Sequence, residues 1–250
     1  MIRVILSGCC GRMGQVLSRM IAERGDMTVV CGFDMIASTD GPFPVYANSS
    51  DSTEQADVII DFSNAAALDA LLPYCVNRKL PLVLCTTGFS EAQLTALDEA
   101  SKEIPLFRSG NMSLGINLVM DLLRRTASLL GDDFDVEIVE RHHKKKLDAP
   151  SGTALMLADA VAEGLPYKSK YIFERESLRQ ERKAEEIGIS AVRGGTIVGE
   201  HTVIFAGHDE VIEITHKAYS REVFAKGAVD AARYLAEKPA GTYDMSDILK

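Results

Sequence analysis

Five short apolar runs fall before residue 114, and each stops at a cluster of small or polar residues. Ile2 to Leu6 stops at Gly8, Gly11 and Gly14, Thr28 to Phe33 at Asp34, and Asp57 to Phe62 at Ser63 and Asn64. Pro81 to Cys85 stops at Thr86, Thr87 and Gly88, and Pro105 to Phe107 at the loop from Ser109 to Ser113. Helical patterns separate most of these runs, so the chain alternates strand and helix. Alternation of this kind specifies a parallel sheet covered on both faces. In such a sheet, ligands bind beyond the carboxyl ends of the strands, where all five clusters would gather.

The first cluster, GCCGRMG, follows an apolar strand and opens a helix with Val16, Leu17, Met20 and Ile21 on its apolar positions. Glycines serve where the backbone turns tightly, approaches a pyrophosphate and lets a helix pack close to a strand. The spacing is GxxGxxG, shifted from GxGxxG, so the turn alone is equally consistent with a structural role. Asp34 lies twenty residues past Gly14, the separation at which an acidic residue meets adenosine ribose hydroxyls. Its competing reading is a solvated strand-end carboxylate. No basic residue follows between Met35 and Gly41, which leans toward NADH over NADPH; Arg12 in the turn could supply the missing charge.

After Ser113 the pattern changes. A long helix from Gly115 to Leu130, with Leu118, Leu122 and Leu129 read as core, precedes a strand ending in ERHHKKKLDAPSGTA. Two adjacent histidines, three lysines and a helix opening on Ser151, Gly152 and Thr153 make a site for an anionic small molecule with proton donors beside it. The first turn of a helix offers free N–H groups and partial positive charge, and histidine exchanges protons near neutral pH. The segment FERESLRQERKAEE reads as a surface helix or loop whose charge is solvated. Three extended runs follow, the last two flanking Gly207, His208 and Asp209, a hairpin signal. They imply a mainly antiparallel second sheet, and the helix from Arg221 to Ala236 suits a return to the first domain. The expected fold is α/β: a discontinuous Rossmann-type domain, 1–113 with 220–250, and an α+β substrate and oligomerisation domain, 114–219.

A net charge of −9 opposes general nucleic-acid binding. Five cysteines without metal-ligand spacing read as free thiols, and no apolar stretch approaches a membrane span or a leader, so a cytoplasmic location is expected with no metal.

The block ERHHKKKLDAPSGTA resembles the signature of dihydrodipicolinate reductases, enzymes of the diaminopimelate route to lysine. GCCGRMG, VIIDFS, CTTGF, SGNMSLGIN, GGTIVGEHTV, EITHKAYSREVFAKGAV and YDMSDIL are similar to further family blocks, in family order and over most of the chain. The HH-K-SGT block is specific; the glycine turn is shared by many dehydrogenases. The resemblance implies NAD(P)H-dependent reduction of a small heterocyclic dicarboxylate. It implies that His142 is the general acid, with Lys146 sharing that work, and that His143, Ser151, Gly152 and Thr153 bind the substrate carboxylates. Nicotinamide dinucleotide binding falls on Gly8, Gly11, Arg12, Met13, Asp34, Ser63, Thr86, Thr87, Gly88, Ser109, Asn111, Met112 and Arg221. A homotetramer built on the second domain's sheet, with closure about hinges near Ser113 and Ser220, is implied as well. His201, His208 and His216 read as structural. The competing readings are another two-domain NAD(P)-dependent oxidoreductase, acting on an amino acid or sugar, and a non-catalytic dinucleotide sensor.

Overall fold

The computed structural model describes residues 1–250 and divides into two compact units, Met1–Ser113 with Glu222–Lys250, and Leu114–Arg221. The first unit holds the strands β1 (Ile2–Ser7), β2 (Met27–Phe33), β3 (Val45–Tyr46), β4 (Val58–Asp61), β5 (Leu82–Leu84) and β6 (Pro105–Arg108). Its helices up to that point are α1 (Arg12–Ala22), α2 (Leu68–Arg78) and α3 (Glu91–Ala100). The second unit contributes α4 (Leu114–Leu130), β7 (Asp135–His142), α5 (Gly152–Gly164), β8 (Lys170–Ile172), β9 (Glu186–Arg193), β10 (Gly199–Ala206) and β11 (Val211–Ala218). The chain then returns to the first unit with α6 (Glu222–Leu235), β12 (Gly241–Tyr243) and α7 (Met245–Ile248).

In the first unit all strands run parallel, in the order β12-β6-β5-β4-β1-β2-β3. The central strands are continuous apolar runs because helices cover both faces: Val4, Ile5, Leu6, Val58, Ile59 and Ile60 are all fully buried. The order reverses at β1, which pairs β2 on one side and β4 on the other, so its carboxyl end opens on a switch-point crevice. Helix α6 lies across β4, β5 and β6 and packs beside α1. Strand β12, only three residues long, extends the sheet at an edge the sequence left unassigned.

The second unit is a five-stranded sheet ordered β11-β10-β7-β9-β8. The sheet is not mainly antiparallel, as its extended runs implied, because two of its four pairings are parallel. Strands β11, β10 and β7 are antiparallel, but β7–β9 and β9–β8 are parallel, making the sheet mixed. One face packs on α4 and α5: Val136, Ile138, Ile187, Ile189, Val203 and Phe205 meet Met120, Leu123, Ala154, Leu157, Ala158 and Val161. Each such aliphatic side chain contributes roughly 1.5–3 kcal/mol when fully buried. Leu118, Leu122 and Leu129 are not in this core, being 47%, 43% and 86% exposed. Helix α4 instead buries Ile116, Met120, Leu123 and Ala127. The charged segment 173–185 contains no helix, and two of its three arginines, Arg175 and Arg182, are paired rather than merely solvated. Arg175 bridges Glu137 and Glu186, and Arg182 reaches Asp135 and Glu137, fastening the segment to the sheet.

Candidate active site

At the carboxyl end of β1, Gly8 has a φ of +78°, and a Cβ there would lie 2.7 Å from the Phe62 carbonyl oxygen. Only glycine satisfies both conditions. Gly14 brings α1 onto the turn so closely that its Cβ would lie 2.3 Å from the Gly8 oxygen. Cys9, where a smaller residue would crowd less, is accommodated because Gly32 stands opposite on β2, where a Cβ would meet its sulfur at 2.4 Å. Burial and the neighbouring Cys10 push the Cys9 thiol up to about 12, so it stays protonated at neutral pH. Asp34 is held by two backbone donors, Cys10 N–H to Oδ2 and Met35 N–H to Oδ1, each at 2.8 Å. A cleft of about 390 Å³ runs along this end of the sheet, lined by Gly8, Gly11, Asp34, Ser63 and Asn64 among others. A turn with glycine at positions 8 and 11, beside a fixed carboxylate, fits a pyrophosphate flanked by a ribose.

Two expected cofactor residues turn their hydroxyls elsewhere. Ser63 Oγ donates to Asp61 Oδ1 at 2.5 Å and Thr86 Oγ1 to Asp61 Oδ2 at 2.6 Å, so a buried carboxylate ties the ends of β4 and β5 together. Beyond it, Gly88 has a φ of +82° and open space where a Cβ would sit. Past β6, Ser109 donates to the Asn111 carbonyl, Asn111 Oδ1 accepts from Ser113 N–H, and Met112 is buried. Arg12 is exposed and Met13 half-buried in the first turn of α1; Arg221 is exposed and falls in the second unit's stretch.

The second unit assembles the histidine block around a residue the sequence reading left unassigned. Strand alternation puts Val136, Ile138, Glu140 and His142 on the face that α4 and α5 cover, and Glu140 is 0% exposed. Four donors converge on its carboxylate. Arg193 donates from both terminal nitrogens at 2.7 Å, Ser151 N–H donates to Oε1 at 2.9 Å, and His142 Nδ1 lies 2.6 Å from Oε2. Burial pushes the Glu140 carboxyl up, but Arg193, His142 and the Ser151 amide outweigh it and hold it below the usual range. Pairing supplies this geometry: Glu140 stands opposite His201 on β10, and His142 opposite Arg193 on β9.

His201, expected to be merely structural, belongs to the same cluster. Its Nε2 lies 3.0 Å from Ser151 Oγ, and its ring meets His142 edge to face with centroids 5.1 Å apart. Burial first, and then His142, lower its pKa to about 4, so the ring is neutral. Ser151 Oγ also accepts from Ala154 N–H as the cap of α5, so one hydroxyl joins the helix start to His201. Lys146 pairs with Asp148 at 2.8 Å and remains partly accessible. His143 is half-buried, and its Nδ1 has no partner. Gly152 is exposed at the first turn of α5, with open space beside it. The structure therefore brings His142, Lys146 and Ser151 into one neighbourhood, with Glu140, Arg193 and His201 behind them.

Strand order, glycine turn and strand-end carboxylate place the chain among Rossmann-type, dinucleotide-dependent oxidoreductases that carry a separate second unit. Family models described as the N-terminus and the C-terminus of dihydrodipicolinate reductase match residues 2–112 and 115–249. The chain belongs to the dihydrodipicolinate reductase family. It is 51% identical over 250 residues to the 4-hydroxy-tetrahydrodipicolinate reductase of Caldanaerobacter subterraneus subsp. tengcongensis, covering 100% of this chain and 99% of that one. With the Clostridium tetani enzyme of the same name it shares 47% identity over 249 residues, 100% and 97% of the two chains. The solved dipicolinate-bound dihydrodipicolinate reductase of Paenisporosarcina sp. TG-14 superposes with a TM-score of 0.82 at 26% identity, over 99% of both chains.

Proposed function

We propose that the chain reduces 4-hydroxy-tetrahydrodipicolinate to tetrahydrodipicolinate in lysine biosynthesis, with NADH or NADPH as reductant. One substrate, one reduced dinucleotide and one proton become product, oxidised dinucleotide and water. Departure of the 4-hydroxyl with a hydrogen of the neighbouring carbon, as water, leaves a conjugated cyclic imine, and the bound dinucleotide supplies the hydride to it. The residues of the second unit do the remaining work. The start of α5 at Ser151, Gly152 and Thr153 holds the two carboxylates together with His143 and Lys146, through backbone amides other than that of Ser151, which Glu140 engages. His142 gives its Nε2 proton to the carbon beside the one that receives hydride, and Lys146 shares in proton supply. In the first unit, Gly8, Gly11, Arg12 and Met13 cradle the pyrophosphate and Asp34 takes the adenosine ribose. Ser63 and Thr86, whose hydroxyls Asp61 holds, contribute through their backbones, and Thr87, Gly88, Ser109, Asn111, Met112 and Arg221 complete the dinucleotide contacts.

The observation carrying the assignment of roles is the convergence of His142, Ser151 and Lys146 at the ends of β7 and α5. A planar dicarboxylate bound by the Paenisporosarcina relative supports the substrate class. Asp34, with no basic residue before Gly41, favours NADH. Oxidation of NADH and NADPH, side by side with enzymatically generated substrate, tests the reading. Turnover should be lost in His142→Gln while the KM for NADH holds; equal loss of both would overturn the role of His142. The outward face of the second sheet presents Val192 and Val211, 44% and 60% exposed, which supports assembly of a homotetramer on that face. A monomer by light scattering would refute it. No helix is long and apolar enough to cross a membrane, and a cytoplasmic location accords with this chemistry.

A further inference from the structure

The buried carboxylate behind the histidine pair has more to do than join strands. We infer that Glu140 is the positioning residue of the proton donor: it fixes His142 with hydrogen on Nδ1, leaving Nε2 as the nitrogen that exchanges a proton with the reactant. The inference rests on the role proposed for His142.

Four features carry it. First, a carboxylate with no solvent exposure needs compensation, and the Arg193 fork supplies a whole opposite charge through two 2.7 Å bonds. Glu140 therefore remains an anion, and an anion only accepts. Second, its Oε2 lies 2.6 Å from His142 Nδ1, so that nitrogen must carry hydrogen in both the neutral and the charged ring. Third, the strand beyond His142 Nε2 is bare: a Cβ on Gly199 would stand 3.1 Å from that atom, and glycine offers none. Fourth, Ser151 N–H donates to the other carboxylate oxygen at 2.9 Å. One anion thus sets the orientation of the imidazole and the start of α5 together, linking proton delivery to carboxylate capture.

The charges around the ring fit this assignment. Glu140 on β7 faces it with an anion that Arg193 on β9 neutralises, and His201 on β10 is neutral with its Nε2 engaged by Ser151. On the loop, Lys146 is offset by Asp148, and His143 lies next in sequence. Substitution of the anion consequently weakens the protonated form of His142. General-acid activity needs that form, so the alkaline limb of the kcat profile should move to lower pH in Glu140→Gln.

The test combines histidine ¹⁵N NMR on the wild-type protein with kinetics of two variants. In the wild type, Nδ1 of His142 should stay protonated across its titration while Nε2 titrates. Glu140→Gln should lower kcat roughly 10²–10⁴-fold, the contribution a positioned general acid makes. It should also shift the alkaline limb downward and leave the KM for NADH unchanged. Glu140→Asp, which keeps the charge, should restore the limb even if kcat stays reduced. A neutral His142 with hydrogen on Nε2 in the wild type would overturn the inference without any variant, so a poorly folding Glu140→Gln does not shield it. An unmoved pH limb in Glu140→Gln would overturn it too. Should His142→Gln retain turnover, the proposed role of His142 fails; should it lose turnover while Glu140→Gln does not, only the positioning role fails.

Discussion

Replacing Gly227 with alanine sets helix propensity against packing, and the structure decides which wins. The residue is buried within α6, where alanine is ordinarily better than glycine by about 1 kcal/mol. Against this, a Cβ at position 227 would lie 1.7 Å from the Met112 carbonyl oxygen, where ordinary contact begins at 3.4 Å. Both partners are backbone, so neither can swing aside as a side chain would. Overpacking costs about 1–3 kcal/mol in general, and a backbone clash of this depth belongs at the upper end. The net is a loss of about 2 kcal/mol, a fall in Tm of roughly 4–8 °C for a chain of this size. Because Met112 closes the loop assigned to the dinucleotide, NADH affinity should weaken as well. Thermal unfolding with and without NADH measures both effects. A Gly227→Ala protein at least as stable as the wild type would show that the contact between α6 and that loop is not the constraint described.

His201 has a lowered pKa of about 4 in the fold against about 6.5 unfolded, so the unfolded chain takes up a proton that the native state refuses. Stability should decline as pH falls from 6.5 toward 4, by about 3 kcal/mol, and urea titrations across that window should flatten in His201→Gln. Arg193→Met leaves the Glu140 carboxylate buried beside only His142 and an amide. The expected cost is about 3–5 kcal/mol at neutral pH, lessening toward acid pH as Glu140 takes up a proton, and denaturant midpoints at two pH values would read it. Asp34→Ala should raise the KM for NADH more than that for NADPH, since the lost carboxylate also repels a 2′-phosphate; an unchanged ratio would remove Asp34 from the ribose site.

Local pattern announced much of this architecture. Five strand ends marked by glycine, serine, threonine or aspartate foretold the parallel sheet, and the HH-K-SGT block foretold where α5 begins. What local pattern could not do was choose between faces. Helix α4 carries leucines, valine and methionine nearly all round, so the sequence offered Leu118 and Leu122 as readily as Met120 and Leu123, and only the packing of α5 and the sheet decides. The parallel insertion of β9 beside β7 is a pairing over fifty residues, with no turn to signal it. Glu140 was within reach, since it continues the parity of Val136 and Ile138 into the core. Arg193 and His201 were not, because their meeting with Glu140 depends on strand register rather than spacing.

The split composition of the first unit bears on how the chain is made. Synthesis at roughly 5–20 residues per second separates Ser113 from Glu222 by on the order of ten seconds. During that interval the nascent sheet lacks both α6 over β4, β5 and β6 and the strand that pairs with β6. An apolar surface and an open edge are thus offered to the ribosome's surroundings until α6 and β12 emerge. Completion of the dinucleotide-binding half thus waits for α6 and β12, made more than a hundred residues after β6.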